Sequence, residues 1–133
     1  MGRRLSIDTT FLIDLQRERA SGGKGPAHGL LQAERGAELC LSTVALGEIA
    51  EGFEEPEHPF LVLIRRGHTL LPVDAQVALV WGAMARRLRR TGELIGSNDL
   101  WIAATSLRHG LPLVTADAGH FGRIEGLEVV RYR

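Results

Sequence analysis

Residues 96–115 read GSNDLWIAATSLRHGLPLVT. Leu100, Ala103, Ala104 and Leu107 stand at i, i+3, i+4 and i+7, the spacing of one helical face. Arg108 and His109 occupy the last turn, Gly110 stops the helix, and Pro112 prevents its continuation. The apolar run PLVT then reads as a strand. A carboxylate, Asp99, stands in the first turn beside residues that should be buried. A helix start tolerates an acid because the macrodipole favours negative charge there. Ser97 or Asn98 suffices as N-cap, so Asp99 is not needed for that task.

Outward from this stretch the same alternation repeats. Leu5 to Ile7 reads as a short strand ending at Asp8, and Thr9 to about Arg19 as a helix carrying Phe11, Leu12 and Leu15. ASGGKGPAHG breaks that helix and reads as a mobile loop. A short helix over Leu30 to Arg35 follows, then the strand AELCLST and a helix with Leu46, Ile49, Ala50 and Phe53 on one face. FLVLIRRG is too short to assign. HTLLPV reads as a third strand. Asp74 caps the next helix, whose stripe of Val77, Val80, Trp81, Met84 and Leu88 runs to Thr91-Gly92. LEVVR is the last strand. Strands alternating with helices predict a three-layer α/β/α sandwich around a mainly parallel sheet, in one domain over residues 1–133.

Composition bounds the function. The chain has 133 residues and formal net charge zero, which argues against a generic polyanion-coating protein. Its basic residues still cluster, at Arg86, Arg87, Arg89 and Arg90 and around Arg17, Arg19 and Lys24. No apolar run approaches the ~18 residues of a membrane span. The N-terminus has no signal-peptide core, so the cytoplasm is the expected location. The single cysteine, Cys40, excludes an internal disulfide and a Cys-rich zinc site, and reads as a small buried hydrophobe. GGKG is not a P-loop, and no GxGxxG follows a strand. The five histidines show no HExxH spacing and are expected on the surface or in loops.

In a sheet of this kind, ligands sit outside the carboxyl ends of the strands. Asp8 ends the first strand, and Asp117 lies two residues past the strand ending at Thr115. Glu48 is about one turn into the helix after the second strand, and Asp99 opens the helix leading to the Thr115 strand. Each has a plainer alternative. Asp8 can be a bare helix cap, Glu48 a solvated helix residue, Asp99 a dipole acid and Asp117 a turn residue. Glu51, Glu54 and Glu55 read as a solvated face, and Asp14 as a surface ion pair with Arg17 three residues on. As a set, the four acids at one sheet edge repel each other, and such a cluster normally holds a cation. Hard oxygen donors without Cys or paired His favour Mg²⁺ or Mn²⁺ over zinc. The usual work of such an ion is on phosphate esters.

SIDTTFLIDL, LSTVALGEIAEG, IGSNDLWIAATSLRHGLPLVTADAGHF and IEGLEVV resemble, in order, the successive motifs of the PIN-domain family. They are similar above all to VapC-type toxins, the ribonuclease halves of bacterial toxin–antitoxin pairs. The resemblance implies that Asp8, Glu48 and Asp99 match the family's three most regular acids and Asp117 the fourth, more variable one. Many members carry an acid immediately before the Phe, where this chain has His120 before Phe121, an imidazole expected to face the loop or the RNA. Thr9 and Thr115 match small polar residues that orient the site, with Ser97 in a similar role. The resemblance further implies an Mg²⁺- or Mn²⁺-dependent endoribonuclease leaving a 5′-phosphate, a homodimer, and a cognate VapB-type antitoxin. The competing reading is a catalytically silent RNA-binding or scaffold PIN domain. A phosphatase of the haloacid-dehalogenase type is disfavoured, because it needs a second Asp where this chain has Thr10.

Overall fold

The computed structural model describes residues 2–133. The elements run β1 (Arg4–Ile7), α1 (Thr9–Ala20), α2 (Pro26–Ala33), β2 (Glu38–Ser42), α3 (Thr43–Ala50), α4 (Pro59–Gly67), β3 (Thr69–Leu71), α5 (Ala75–Thr91), α6 (Ser97–His109), β4 (Leu113–Thr115), α7 (Ala118–Phe121) and β5 (Val129–Arg131). Every strand pairs in parallel, in the order β3-β2-β1-β4-β5. The expected α/β fold with a parallel central sheet is the observed one. FLVLIRRG resolves as helix α4, started by the His58 ring, which accepts from the Phe60 N–H, and by Pro59.

Parallel sheets are covered on both faces, and β1 shows it: Leu5, Ser6 and Ile7 are all fully buried. Successive residues of a strand face opposite sides. Leu5 and Ile7 therefore share one face, and Ser6 points to the other, where its hydroxyl meets Ser106 of α6 at 2.8 Å. That bond satisfies two buried hydroxyls and ties α6 to the central strand. Helix α5 packs on α6, while α1 packs on α2 and α3. From β1 the chain moves outward through β2 to β3, then returns across β1 to place β4 on its other side. The connections leaving β1 and β4 thus diverge, which opens a crevice at their carboxyl ends.

The loop expected over residues 20–29 is shorter than its glycines suggest. Helix α2 starts at Pro26, and the Glu18 carboxylate crosses the gap to accept from the N–H groups of Ala27 and His28, both at 2.9 Å, and to meet the His28 ring at 2.7 Å. Gly25 sits at φ +149°, and a Cβ there would fall 2.3 Å from Glu18 Cδ, so any other residue strains the backbone and displaces the Glu18 carboxylate. Asp14 also departs from expectation. Its partners are the Tyr132 hydroxyl at 2.5 Å and Arg133 Nε at 2.6 Å rather than Arg17, so it fastens the C-terminus to α1. Tyr132 in turn packs edge-on against Phe11, with centroids 5.0 Å apart. Asp74 caps α5 through the Val77 N–H, and Cys40 is fully buried, both as expected. No helix among the described residues is long and apolar enough to cross a membrane.

Candidate active site

Asp8 is both a cap and a floor for the crevice. Its Oδ1 accepts from the Phe11 N–H at 3.1 Å and from the Thr10 hydroxyl at 2.6 Å, which starts α1. Its Oδ2 accepts from the Thr115 hydroxyl at 2.5 Å. The pairing of β1 with β4 explains that contact: Ile7 stands opposite Val114, so the next residues, Asp8 just past β1 and Thr115 at the end of β4, meet at the carboxyl edge. Asp8 is only 2% exposed. Burial pushes its carboxyl above the ordinary range against these three hydrogen bonds, and the charge of Asp99 adds to the rise. Thr115 serves two partners, because its oxygen also accepts from the Asp117 N–H at 3.0 Å and turns the chain out of β4.

Glu48 reaches the same edge from the second turn of α3. Thr9 donates to its Oε1 at 2.7 Å and Asn98 to its Oε2 at 3.3 Å. One carboxylate thus joins the starts of α1 and α6. Asp99 is the third residue of α6. Its Oδ2 lies 3.1 Å from His120 Nε2. Burial raises the Asp99 carboxyl, His120 opposes the rise, and the negative charges of Glu48 and Asp117 reinforce it. Asp117 is exposed and caps α7, its Oδ1 accepting from the His120 N–H at 3.2 Å.

Three sequence expectations need correction here. The N-cap of α6 is Gly96, with extended backbone and no side-chain cap bond. Ser97 and Asn98 are already inside the helix and cannot cap it. Ser97 is exposed, and the bond to a site acid falls to its neighbour Asn98. The TADAGHF loop contains a helical turn, α7, which swings His120 back onto Asp99 instead of out toward solvent. Asn98 and Arg123 are site groups that the sequence does not reveal, and His120, expected to face the loop or the RNA, lies against Asp99 instead. The only local signal was the i, i+3 spacing from Asp117 to His120, which one helical turn brings together.

The four carboxylates have no Lys or Arg ion-pair partner among the described residues; His120 on Asp99 is their only basic contact. As the side chains stand, no three His, Cys, Asp or Glu groups among the described residues converge tightly enough to chelate one ion. Mutual repulsion and the private donors of each acid account for that spread. The donor set nonetheless suits a hard divalent cation. It offers carboxylate oxygens, one pair of them on a deeply buried Asp8 that has no basic partner among the described residues.

The family model described as PIN domain matches residues 5–127, nearly the whole chain. This chain belongs to the PIN-domain family. Among curated relatives, this PIN domain is 30% identical over 128 residues to Ribonuclease VapC1 of Haemophilus influenzae (strain R2866), with 92% of each chain covered. It is 27% identical over 134 residues to Ribonuclease VapC1 of Rickettsia felis, covering 95% of this chain and 94% of that one. Among solved structures, it superposes on a chain of VapBC2 from Rickettsia felis bound to a promoter DNA fragment with a TM-score of 0.85 at 19% identity, over 98% of this PIN domain and 99% of that chain. The match to VapBC-1 from nontypeable Haemophilus influenzae has a TM-score of 0.79 at 27% identity, over 97% and 98% of the two chains.

Proposed function

We propose that this PIN domain, acting as one nuclease unit over residues 1–133, is a metal-dependent endoribonuclease and the toxin of a type II toxin–antitoxin pair. The observation that carries the reading is the buried Asp8 at the strand switch point, with no basic partner among the described residues and with Glu48, Asp99 and Asp117 at the same edge. Asp8, Asp99 and Asp117 are the residues to hold Mg²⁺ or Mn²⁺, with Glu48 binding a second ion or positioning the attacking water. The ion, when bound, supplies an activated water and neutralises charge developing on the phosphodiester.

The chain's own residues then have separate tasks. Thr115 and Thr10 aim the two oxygens of Asp8. Thr9 and Asn98 hold Glu48 across the mouth of the site, where its carboxylate is placed to accept a proton from the attacking water. Leu100, Ala103 and Ala104 are buried, so Asp99 is carried by a rigid helix rather than a loop. Arg86, Arg89 and Arg90 are exposed at the end of α5, whose connection leads straight to Asp99. They suit the backbone of an RNA strand entering the crevice; Arg87 is engaged by Glu125. Hydrolysis leaves a 5′-phosphate.

The VapBC complexes among the structural neighbours support a VapB-type antitoxin as partner; a homodimer and a cytoplasmic setting belong to the same proposal. The test is cleavage of RNA by the purified, antitoxin-free chain. Cleavage with Mn²⁺ that stops in EDTA and in Asp99→Asn supports the reading. A folded chain that binds RNA but leaves it intact with either metal is instead a silent RNA-binding PIN domain.

A further inference from the structure

His120 sits between a guanidinium and a carboxylate, and that placement decides its proton. Arg123 Nη2 lies 2.8 Å from His120 Nδ1. A guanidinium carries donors only and does not give up its charge. Nδ1 must therefore be the acceptor, which leaves the ring proton on Nε2. Nε2 faces Asp99 Oδ2 at 3.1 Å, so the imidazole donates to the carboxylate. Arg123 is itself tied down. Its Nε donates to the His120 carbonyl at 3.3 Å and its Nη2 to the Leu94 carbonyl at 3.4 Å, linking α7 to the segment before α6. Phe121 packs edge-on beside the ring, with centroids 5.2 Å apart. The second oxygen of Asp99 has no hydrogen-bond partner among the described residues.

The geometry points to an Arg123–His120–Asp99 relay, in which Arg123 selects the imidazole tautomer and His120 orients the Asp99 carboxylate as an N–H donor, without binding the metal itself. For His120 to be a ligand through Nε2, its proton would have to move to Nδ1, where it would face the Arg123 N–H donors. Two donors pointed at each other oppose that state. His120 is thus a positioning residue: it occupies Oδ2 and leaves the other oxygen of Asp99 free to take a cation. Partners of this kind that hold a metal-binding carboxylate typically affect affinity by ten- to a hundredfold.

The relay rests on the nuclease reading, but its first test does not need activity. Two-bond ¹H–¹⁵N correlation spectra of the metal-free full chain read the tautomer directly. His120 should be the Nε2–H form, and Arg123→Ala should shift it toward a mixture. Titration with Mn²⁺ alone should show affinity falling roughly tenfold in His120→Ala. His120→Gln, whose amide N–H reaches the Nε2 position, should recover most of it. Pulsed EPR of the Mn²⁺-loaded chain should show no directly coupled imidazole nitrogen. An Nδ1–H tautomer in the parent, a coupled nitrogen, unchanged affinity in His120→Ala, or failure of Gln to rescue overturns the relay. A parent that neither binds Mn²⁺ nor cleaves RNA overturns the nuclease reading, whereas a wrong tautomer in a parent that does both overturns the relay alone.

Discussion

Thr115→Val removes one hydroxyl from the floor of the crevice while keeping the shape of the side chain. Thr115 is fully buried; its hydroxyl donates to Asp8 Oδ2 at 2.5 Å and accepts from the Asp117 N–H at 3.0 Å. A hydrogen bond to an ionised group contributes about 1.5–3 kcal/mol. The Asp117 N–H belongs to an exposed residue, where water replaces the lost acceptor, so it adds little. The expected loss is therefore about 2–3 kcal/mol. Unfolding entropy of roughly 2.1 cal/mol/K per residue, over 133 residues, converts this to a Tm lowered by about 7–11 °C. Thermal unfolding followed by circular dichroism in EDTA measures it. Thr115→Ser keeps the hydroxyl and sheds one methyl group, so it should cost only about 0.8 kcal/mol. The Val variant should also bind Mn²⁺ more weakly, because Asp8 loses the donor that aims it. A Val variant within about 0.5 kcal/mol of the parent, or no worse than Ser, refutes Thr115 as the donor that holds an ionised Asp8.

Mn²⁺ at about a hundredfold excess over its Kd should stabilise the parent by about 2.7 kcal/mol, read as a rise in Tm, and Asp99→Asn should lose most of that gain; an undiminished gain returns Asp99 to the role of a dipole acid. RNA cleavage at saturating Mn²⁺ should be graded, with Asp8→Ala and Asp99→Ala at background, Glu48→Ala severely impaired but still binding metal, and Asp117→Ala active at higher metal; Asp14→Asn is the control that should cleave normally. Burial raises the Asp8 and Asp99 carboxyls in the fold, so their charges cost stability above the raised values, and that cost is relieved as pH falls from neutrality through them. Asp14 works in the opposite sense: hydrogen bonds from Tyr132 and Arg133 outweigh its burial and lower its carboxyl, so its contribution holds above its ordinary value of 3.8 and is lost below it. Metal-free protein should thus gain Tm on mild acidification before losing it, and Asp8→Asn should flatten the gain; an identical profile in the variant sinks this account. Gly25→Ala should cost about 1–3 kcal/mol through its positive φ and the displaced Glu18 carboxylate, and a chemical denaturation curve unchanged from the parent rejects it.

Much of this molecule was legible along the chain. The apolar stripe of α6, its Gly110 stop, the Asp74 cap and the alternation of strand and helix all follow from periods of two and 3.6 and from the punctuation between them. Those signals are local, because each depends on backbone geometry within one element. The same logic placed Asp8, Glu48, Asp99 and Asp117 at the carboxyl ends of strands or the starts of helices, and so at one edge of the sheet.

What tertiary structure alone decided is which group serves which acid. Thr115 reaches Asp8 across 107 residues, Asn98 reaches Glu48 across 50, and Tyr132 reaches Asp14 across 118, while Arg17, three residues away, acts on Asp14 through its charge without a hydrogen bond. None of these pairings has a period or a spacing, since each arises from strand order and from the return crossover that sets β4 beside β1. His120 shows the difference most plainly. Its place after Asp117 is a matter of sequence, but its proton is set by Arg123 on one side and Asp99 on the other. A hydrogen bond is directional and short-ranged, so a residue's chemistry is settled only when the fold has brought its partners to within about 3 Å.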